Sequence, residues 1–235
     1  MKASGEHPWG DWHIAKDAEA GKEGKELRAC SVCGALESKT IPAKAEDPDA
    51  NCPSEKFADL DTAADCWYHK GVDYVLNHGY MKGVSESEFA PNGNVSRSQL
   101  VTILYRMAGE PSVAGMVNPF TDLTQDWYKN AVVWAANKGI VKGVSETAFS
   151  PDTAISREQI STILYRYDGA TASSQNLLKN FADGANVSDY AVDAMNWAVS
   201  EGLISGTKSG DDVLLDAKGT ATRAQIATIL MRYSE

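Results

Sequence analysis

Apolar positions recur at helical spacing in three widely separated stretches of the chain. After Ser96 come Leu100, Ile103, Leu104 and Met107. After Ser156 come Ile160, Ile163, Leu164 and Tyr167, and after Thr222 come Ile226, Ile229, Leu230 and Tyr233. An i, i+3, i+4, i+7 spacing lies on one face of an α-helix. The stretches open alike, on Ser96-Arg97-Ser98-Gln99, Ser156-Arg157-Glu158-Gln159 and Thr222-Arg223-Ala224-Gln225. Ser or Thr followed three residues later by Gln predicts a capping box, in which two side chains satisfy orphan N–H groups reciprocally. Three helices with one cap and one stripe are expected to pack on one another.

Each cap is followed at once by an arginine. Arg97, Arg157 and Arg223 fall at the first helical position, where the helix dipole disfavours a cation. They also precede the first apolar anchor by one turn, at the rim of the buried seam. Two readings stand: an anionic ligand meets each arginine, or each pairs with a neighbouring aspartate and glues repeats together.

The repetition extends upstream. Phe57-Ala58-Asp59, Phe120-Thr121-Asp122 and Phe181-Ala182-Asp183 start copies 63 and 61 residues apart, a period that marks a repeat architecture. Trp67-Tyr68 and Trp127-Tyr128 follow, with Asp189-Tyr190 in the third copy, where Asp189 is read as replacing the tryptophan. A first helix is then predicted from Val72, Val75 and Leu76, from Val132, Ala135 and Ala136, and from Met195, Ala198 and Val199. It stops at Gly79, Gly139 and Gly202, residues suited to a left-handed C-cap. Gly83, Gly143 and Gly206 come four residues later, and Phe89-Ala90-Pro91 or Phe149-Ser150-Pro151 leads to the capped helix. Fourteen steps separate Gly83 from Arg97 and Gly143 from Arg157, long for a connector, and long ordered loops tend to carry function. The expected fold is mainly α: three helix-loop-helix repeats at 57–117, 118–178 and 179–235.

Residues 1–56 break the pattern. Residues 1–44 are expected to form a small β-rich module and 45–56 a polar, turn-rich linker. Cys30-Ser31-Val32-Cys33-Gly34 has the shape of a metal knuckle. Zinc takes four ligands, and His7, His13 and Cys52 are at hand to complete the set, giving Cys30, Cys33, His7 and Cys52 as the candidate metal residues. The alternative is a strand hairpin with idle or redox-labile thiols. No other cofactor is implied. The net charge of −10 argues against nucleic acid, which needs a basic footprint. It also requires that an anionic ligand be held by local geometry. No run is apolar enough to span a membrane or to serve as a signal segment, so the protein is expected to be either cytosolic or an exported one that has lost its signal.

Residues 57–235 resemble the S-layer homology (SLH) family: Phe-x-Asp, Trp-Tyr, the paired glycines, Phe-x-Pro and the Ser/Thr-Arg-x-Gln helix start match in order, three times. The resemblance implies a pseudo-threefold unit around a central three-helix bundle, with grooves between repeats. It implies non-covalent anchoring of exported proteins to secondary cell-wall polysaccharide or a peptidoglycan-linked glycan, often pyruvylated, at the cell wall or in an S-layer. The family's helix start is typically Thr-Arg-Ala-Glu, its arginine belonging to the glycan groove; here that maps onto Arg97, Arg157 and Arg223, with Gln99, Gln159 and Gln225 in place of Glu. A pyruvyl carboxylate suits an arginine fork, and N–H groups at the helix start suit an anion. Gly83, Gly143 and Gly206 would let a sugar approach the backbone, and Trp67 and Trp127 would stack on a pyranose, unless they are core aromatics. Asp59, Asp122 and Asp183 bind sugar hydroxyls or cap the following turn. The third copy's longer loop, seventeen steps from Gly206 to Arg223, is expected to disturb the Arg223 groove and spare those of Arg97 and Arg157. The first module, with His7-Pro8-Trp9, Arg28 and the cysteine knuckle, resembles small β-rich modules of bacterial surface proteins, though Ala20 stands where that pattern usually has another cysteine.

Other classes fit less well. No Ser/His/Asp set or paired-carboxylate motif suggests an enzyme, and His69 and His78, unmatched in the other copies, read as surface residues. A lattice protein acting through contacts with other surface proteins, or the anchor part of a larger exported hydrolase, are the alternatives.

Overall fold

A computed structural model describes residues 8–17, 23–42, 52–63, 65–172 and 175–235. The chain divides into two compact units, Met1–Cys52 and Pro53–Glu235.

The first unit holds an antiparallel sheet in the order β1 (His13–Lys16), β2 (Gly24–Ala29), β3 (Leu36–Ile41). Cys30-x-x-Cys33-Gly34 is the turn between β2 and β3. The N–H of Cys30 donates to Ala35 O (2.8 Å) and that of Gly34 to Cys30 O (3.0 Å), with Gly34 left-handed at φ 71°. Arg28 binds the sheet together: it donates to Glu37 on β3 and lies over the Trp12 and Trp9 rings, 4.6 and 5.1 Å from their centroids.

The second unit is built from six helices among the described residues: α1 (His69–Asn77), α2 (Arg97–Met107), α3 (Asp126–Asn137), α4 (Arg157–Asp168), α5 (Val192–Ser200) and α6 (Arg223–Ser234). All three capping boxes form as the sequence requires. The hydroxyls of Ser96, Ser156 and Thr222 accept from the N–H groups of Gln99, Gln159 and Gln225, whose amide oxygens accept in return. The apolar stripe is sealed, with Leu100, Leu104, Ile160, Leu164, Ile226 and Leu230 all essentially inaccessible in one core.

The main partner of each capped helix, however, is the first helix of the following repeat: α2 packs on α3, α4 on α5, and α6 on α1. The capped helices share that core with one another as well, and the Tyr167 ring of α4 lies 6.0 Å from the Tyr233 ring of α6, whose hydroxyl donates to Asp168. The α6–α1 pairing is the closest, since a Cβ on Gly71 would lie 2.8 Å from the Thr228 Cα. The capped helices also meet at their N-terminal ends. There Val95 N donates to Ala221 O, Ala221 N to Ile155 O, and Ile155 N to Val95 O, at 2.9 to 3.3 Å. The body includes the turn Pro53–Lys56, whose Ser54 N–H donates to Asp73 on α1 (3.0 Å). The turn thus belongs with the repeats, although the sequence reading placed it in the linker.

Candidate functional site: three grooves between repeats

The geometry begins with the aspartates. Asp59 accepts from the backbone N–H groups of Phe89 (2.8 Å) and Ala90 (2.6 Å). Asp122 does the same for Phe149 and Ser150, and Asp183 for Leu215 and Asp216. Ala90, Ser150 and Asp216 have φ of 58°, 57° and 48°, a left-handed conformation that a residue with a Cβ resists. The carboxylates hold this bend. They cap a loop some thirty residues away and not the turn that follows them, which corrects the capping reading of these residues. Burial pushes the Asp122 pKa up, but the N–H groups of Phe149 and Ser150, with Arg97 nearby, bring it net below the usual carboxylate value.

The bent loop receives the arginine of the preceding repeat. Arg97 donates from Nε to Phe149 O (3.0 Å) and from Nη2 to Lys142 O (3.0 Å), its guanidinium 4.6 Å from the Phe149 ring centroid. Arg223 repeats this on the first copy, with Phe89 O at 2.7 Å, Lys82 O at 2.6 Å and the Phe89 ring at 4.5 Å. Arg157 meets the third copy, where Leu215 replaces phenylalanine and the longer loop forms a hairpin of β4 (Thr207–Ser209) and β5 (Asp212–Leu214). Its Nε is buried without a hydrogen-bond partner. The altered loop therefore remodels the Arg157 groove and spares that of Arg223, the reverse of the expectation, because each arginine reaches into the next repeat. Desolvation lowers the pKa of all three arginines, which remain cations at any physiological pH.

The helix starts do not offer N–H groups to an anion. Arg97 N donates to Thr153 O and Ser98 N to Pro151 O. Arg157 and Glu158 donate to Gly219 O and Ala217 O, and Arg223 and Ala224 to Gly93 O and Pro91 O. With the third N–H taken by the cap, loop carbonyls have replaced any ligand there, which corrects the anion expectation for the backbone.

Three grooves result, each drawing on all three repeats. The first holds Arg97, the Lys142-Gly143-Val144 loop, Gln159 and Arg166 of α4, and Tyr190. The second holds Arg157, the Ser205-Gly206-Thr207 loop, Gln225 and Arg232 of α6, and Trp67. The third holds Arg223, the Lys82-Gly83-Val84 loop, Gln99 and Arg106 of α2, and Trp127. Their volumes are roughly 360, 290 and 340 Å³. The glycines line them, and also allow close packing: a Cβ on any of the three would strike the ring of Phe57, Phe120 or Phe181 and a loop carbonyl.

Trp67 and Trp127 are 62% and 54% exposed, so they are groove walls and not core aromatics. Tyr190, 54% exposed, takes the same place in the first groove. It lies five residues before Met195, as Trp67 lies before Val72 and Trp127 before Val132; counting back from the helix, not forward from Phe-x-Asp, would have found it. Asp189 therefore does not replace the tryptophan. The Tyr190 hydroxyl donates to Glu158 Oε1 (2.9 Å), and its pKa is raised to about 12 by burial and by that carboxylate. The second arginines Arg106, Arg166 and Arg232, each nine residues after the first, were also missed. Six of the seven arginines thus line these grooves, concentrating cations in an acidic chain.

Elsewhere, His69 is not a surface residue: it is largely covered and pairs with Asp73 at 3.0 Å. Cys30 is buried and Cys33 exposed on the hairpin turn, while His7 lies outside the described residues. Among the described residues no helix is long and apolar enough to cross a membrane.

The model of the S-layer homology domain matches residues 56–101, 119–160 and 180–227, and the chain belongs to that family. It is 29% identical over 167 residues to the Surface-layer 125 kDa protein of Lysinibacillus sphaericus, covering 71% of this chain and 14% of that protein. It is 25% identical over 180 residues to Exoglucanase XynX of Acetivibrio thermocellus, covering 75% and 16%. Over 175 residues it is 24% identical to the S-layer protein sap of Bacillus anthracis, covering 73% and 20%. The chain spans a fifth or less of the length of these relatives.

Proposed function

We propose that residues 53–235 anchor their chain to the bacterial cell wall by binding an anionic, pyruvylated secondary polysaccharide in the inter-repeat grooves, without catalysis. The repeats would be related by a pseudo-threefold axis running through the hydrogen-bond ring of Val95, Ile155 and Ala221. The observation that carries the reading is the recurrence, three times, of one groove chemistry: a pair of arginines, a glycine-lined loop and a half-exposed aromatic ring. Arginine recognises a carboxylate by charge and planar geometry, the ring offers a sugar its apolar face, and the glutamine amide adds hydrogen bonds for hydroxyls. The family carries this module on surface-layer proteins and on polysaccharide hydrolases, as expected of an anchor independent of its cargo. Calorimetric titration of the whole chain with purified wall polymer, native and depyruvylated, tests the reading. Saturable binding lost on depyruvylation supports it; equal binding of both polymers removes the carboxylate from the argument, and binding of neither removes the anchor.

A further inference from the structure

Resting on that reading, we propose that in the groove walled by Tyr190 the ligand's anion is gripped by Arg166, while Arg97, the arginine of the repeated motif, is a positioning residue. Arg97 is only 6% exposed. It spends Nε and Nη2 on two carbonyls and lies on the Phe149 ring. These bonds join the bent loop of the second repeat to the helix start of the first, so they shape the groove floor. Little of the guanidinium is left to meet a solute.

Arg166 differs in each respect. It stands in the last turn of α4, where the helix dipole favours a cation, and lines the same groove at intermediate burial. Among the described residues it makes no hydrogen bond or ion pair. Its counterparts are tethered, Arg106 to Tyr80 O at 3.0 Å and Arg232 to Gly202 O at 3.4 Å. Burial works against its charge, and among the described residues Tyr190 is the group that favours it. A partly desolvated cation without a counter-charge is unfavourable in the empty groove and becomes favourable when an anion arrives. Its five donors in a planar fork fit a carboxylate bidentately. Around it stand Gln159, the Gly143 backbone, and the Tyr190 ring, fixed by its hydrogen bond to Glu158. An acidic sugar with its carboxylate on Arg166 and a pyranose face on Tyr190 completes the site.

The test uses the full chain carrying Trp67→Ala and Trp127→Ala, which removes the aromatic walls of the other two grooves, titrated calorimetrically with purified pyruvylated wall polymer. Adding Arg166→Gln is expected to weaken binding tenfold or more, the loss of a charge-assisted contact, with an unchanged or higher Tm. Arg166→Lys, keeping charge but not the fork, is expected to fall between. Arg97→Gln is expected to lower Tm, as loss of a structural tie requires. Undiminished affinity in Arg166→Gln overturns the proposal, and so does a Tm loss equal to that of Arg97→Gln. Loss of all binding in the Trp67/Trp127 background, with the unsubstituted chain still binding, would place the working groove elsewhere and leave the anchoring reading intact. An unsubstituted chain that fails to bind takes down both.

Discussion

Replacing Asp122 by alanine should unlock the loop that shapes the first groove. Its carboxylate accepts from Phe149 N at 2.9 Å and Ser150 N at 2.7 Å, and a hydrogen bond to a charged group contributes about 1.5–3 kcal/mol. The site is partly solvated, so the lower figure applies to each, about 3 kcal/mol together. Ser150, at φ 57° and immediately before Pro151, holds a conformation costing a non-glycine residue about 1 kcal/mol. Release of that strain offsets part of the loss. The net cost is about 2–3 kcal/mol, and for a domain of this size Tm moves by roughly 2–4 °C per kcal/mol. Circular dichroism at 222 nm should show Tm falling by roughly 5–10 °C. Asp183→Ala should cost clearly less, because β4 and β5 pair independently and hold the third loop. Refutation would be a drop under about 2 °C for Asp122→Ala, or equal drops for the two variants.

Three more predictions follow from the same geometry. Gly143→Ala should destabilise by several kcal/mol, since its Cβ would collide with the Ala148 carbonyl and the Phe120 ring. Gly139→Ala, at φ 73° with open space around it, should cost only about 1 kcal/mol in parallel urea melts. Tyr190 has its folded pKa raised, so its contribution is full below its ordinary value near 10 and is lost as pH rises toward about 12. Tyr190→Phe should therefore flatten the fall in stability between those values, and an unchanged alkaline limb would count against the assignment. Arg223→Ala should speed amide hydrogen exchange over residues 82–90 of the first repeat more than over its own helix, because its bonds go to Lys82 O and Phe89 O; mass spectrometry of the corresponding peptides checks this.

Most of the local architecture was legible in the sequence because it is written in local chemistry. A capping box spans four residues, and a helical stripe eight, so Ser96 to Met107 could be read without knowing what they touch. The arginines show where that stops. Their position on the helix predicted something at the groove rim, but whether Arg97 meets an aspartate, a ligand or a carbonyl depends on a loop about fifty residues away. The outcome was a carbonyl pair and a ring, and Asp122 sits behind the same loop. Tyr190 escaped for a related reason. The distance from the Phe-x-Asp phenylalanine to the groove aromatic differs in every copy, 10, 7 and 9 residues, while the distance on to Val72, Val132 or Met195 is always five.

The swap between repeats carries the largest consequence for function. Each groove takes its buried arginine from one repeat, its loop and second arginine from the next, and its aromatic wall from the third. A substitution in one repeat therefore acts on a groove that the sequence would assign to another, as the third copy's hairpin acts on Arg157. The backbone ring through Val95, Ile155 and Ala221 joins the segments that lead into the three helix starts. Divergence can still accumulate one groove at a time in the parts that face solvent. Trp127 in one copy and Tyr190 in another change the exposed wall of a groove while leaving the caps and aspartates that build it. The caps and aspartates thus spend their hydrogen bonds on the protein, and on the proposed reading ligand choice rests with groups that do not, Arg166 foremost.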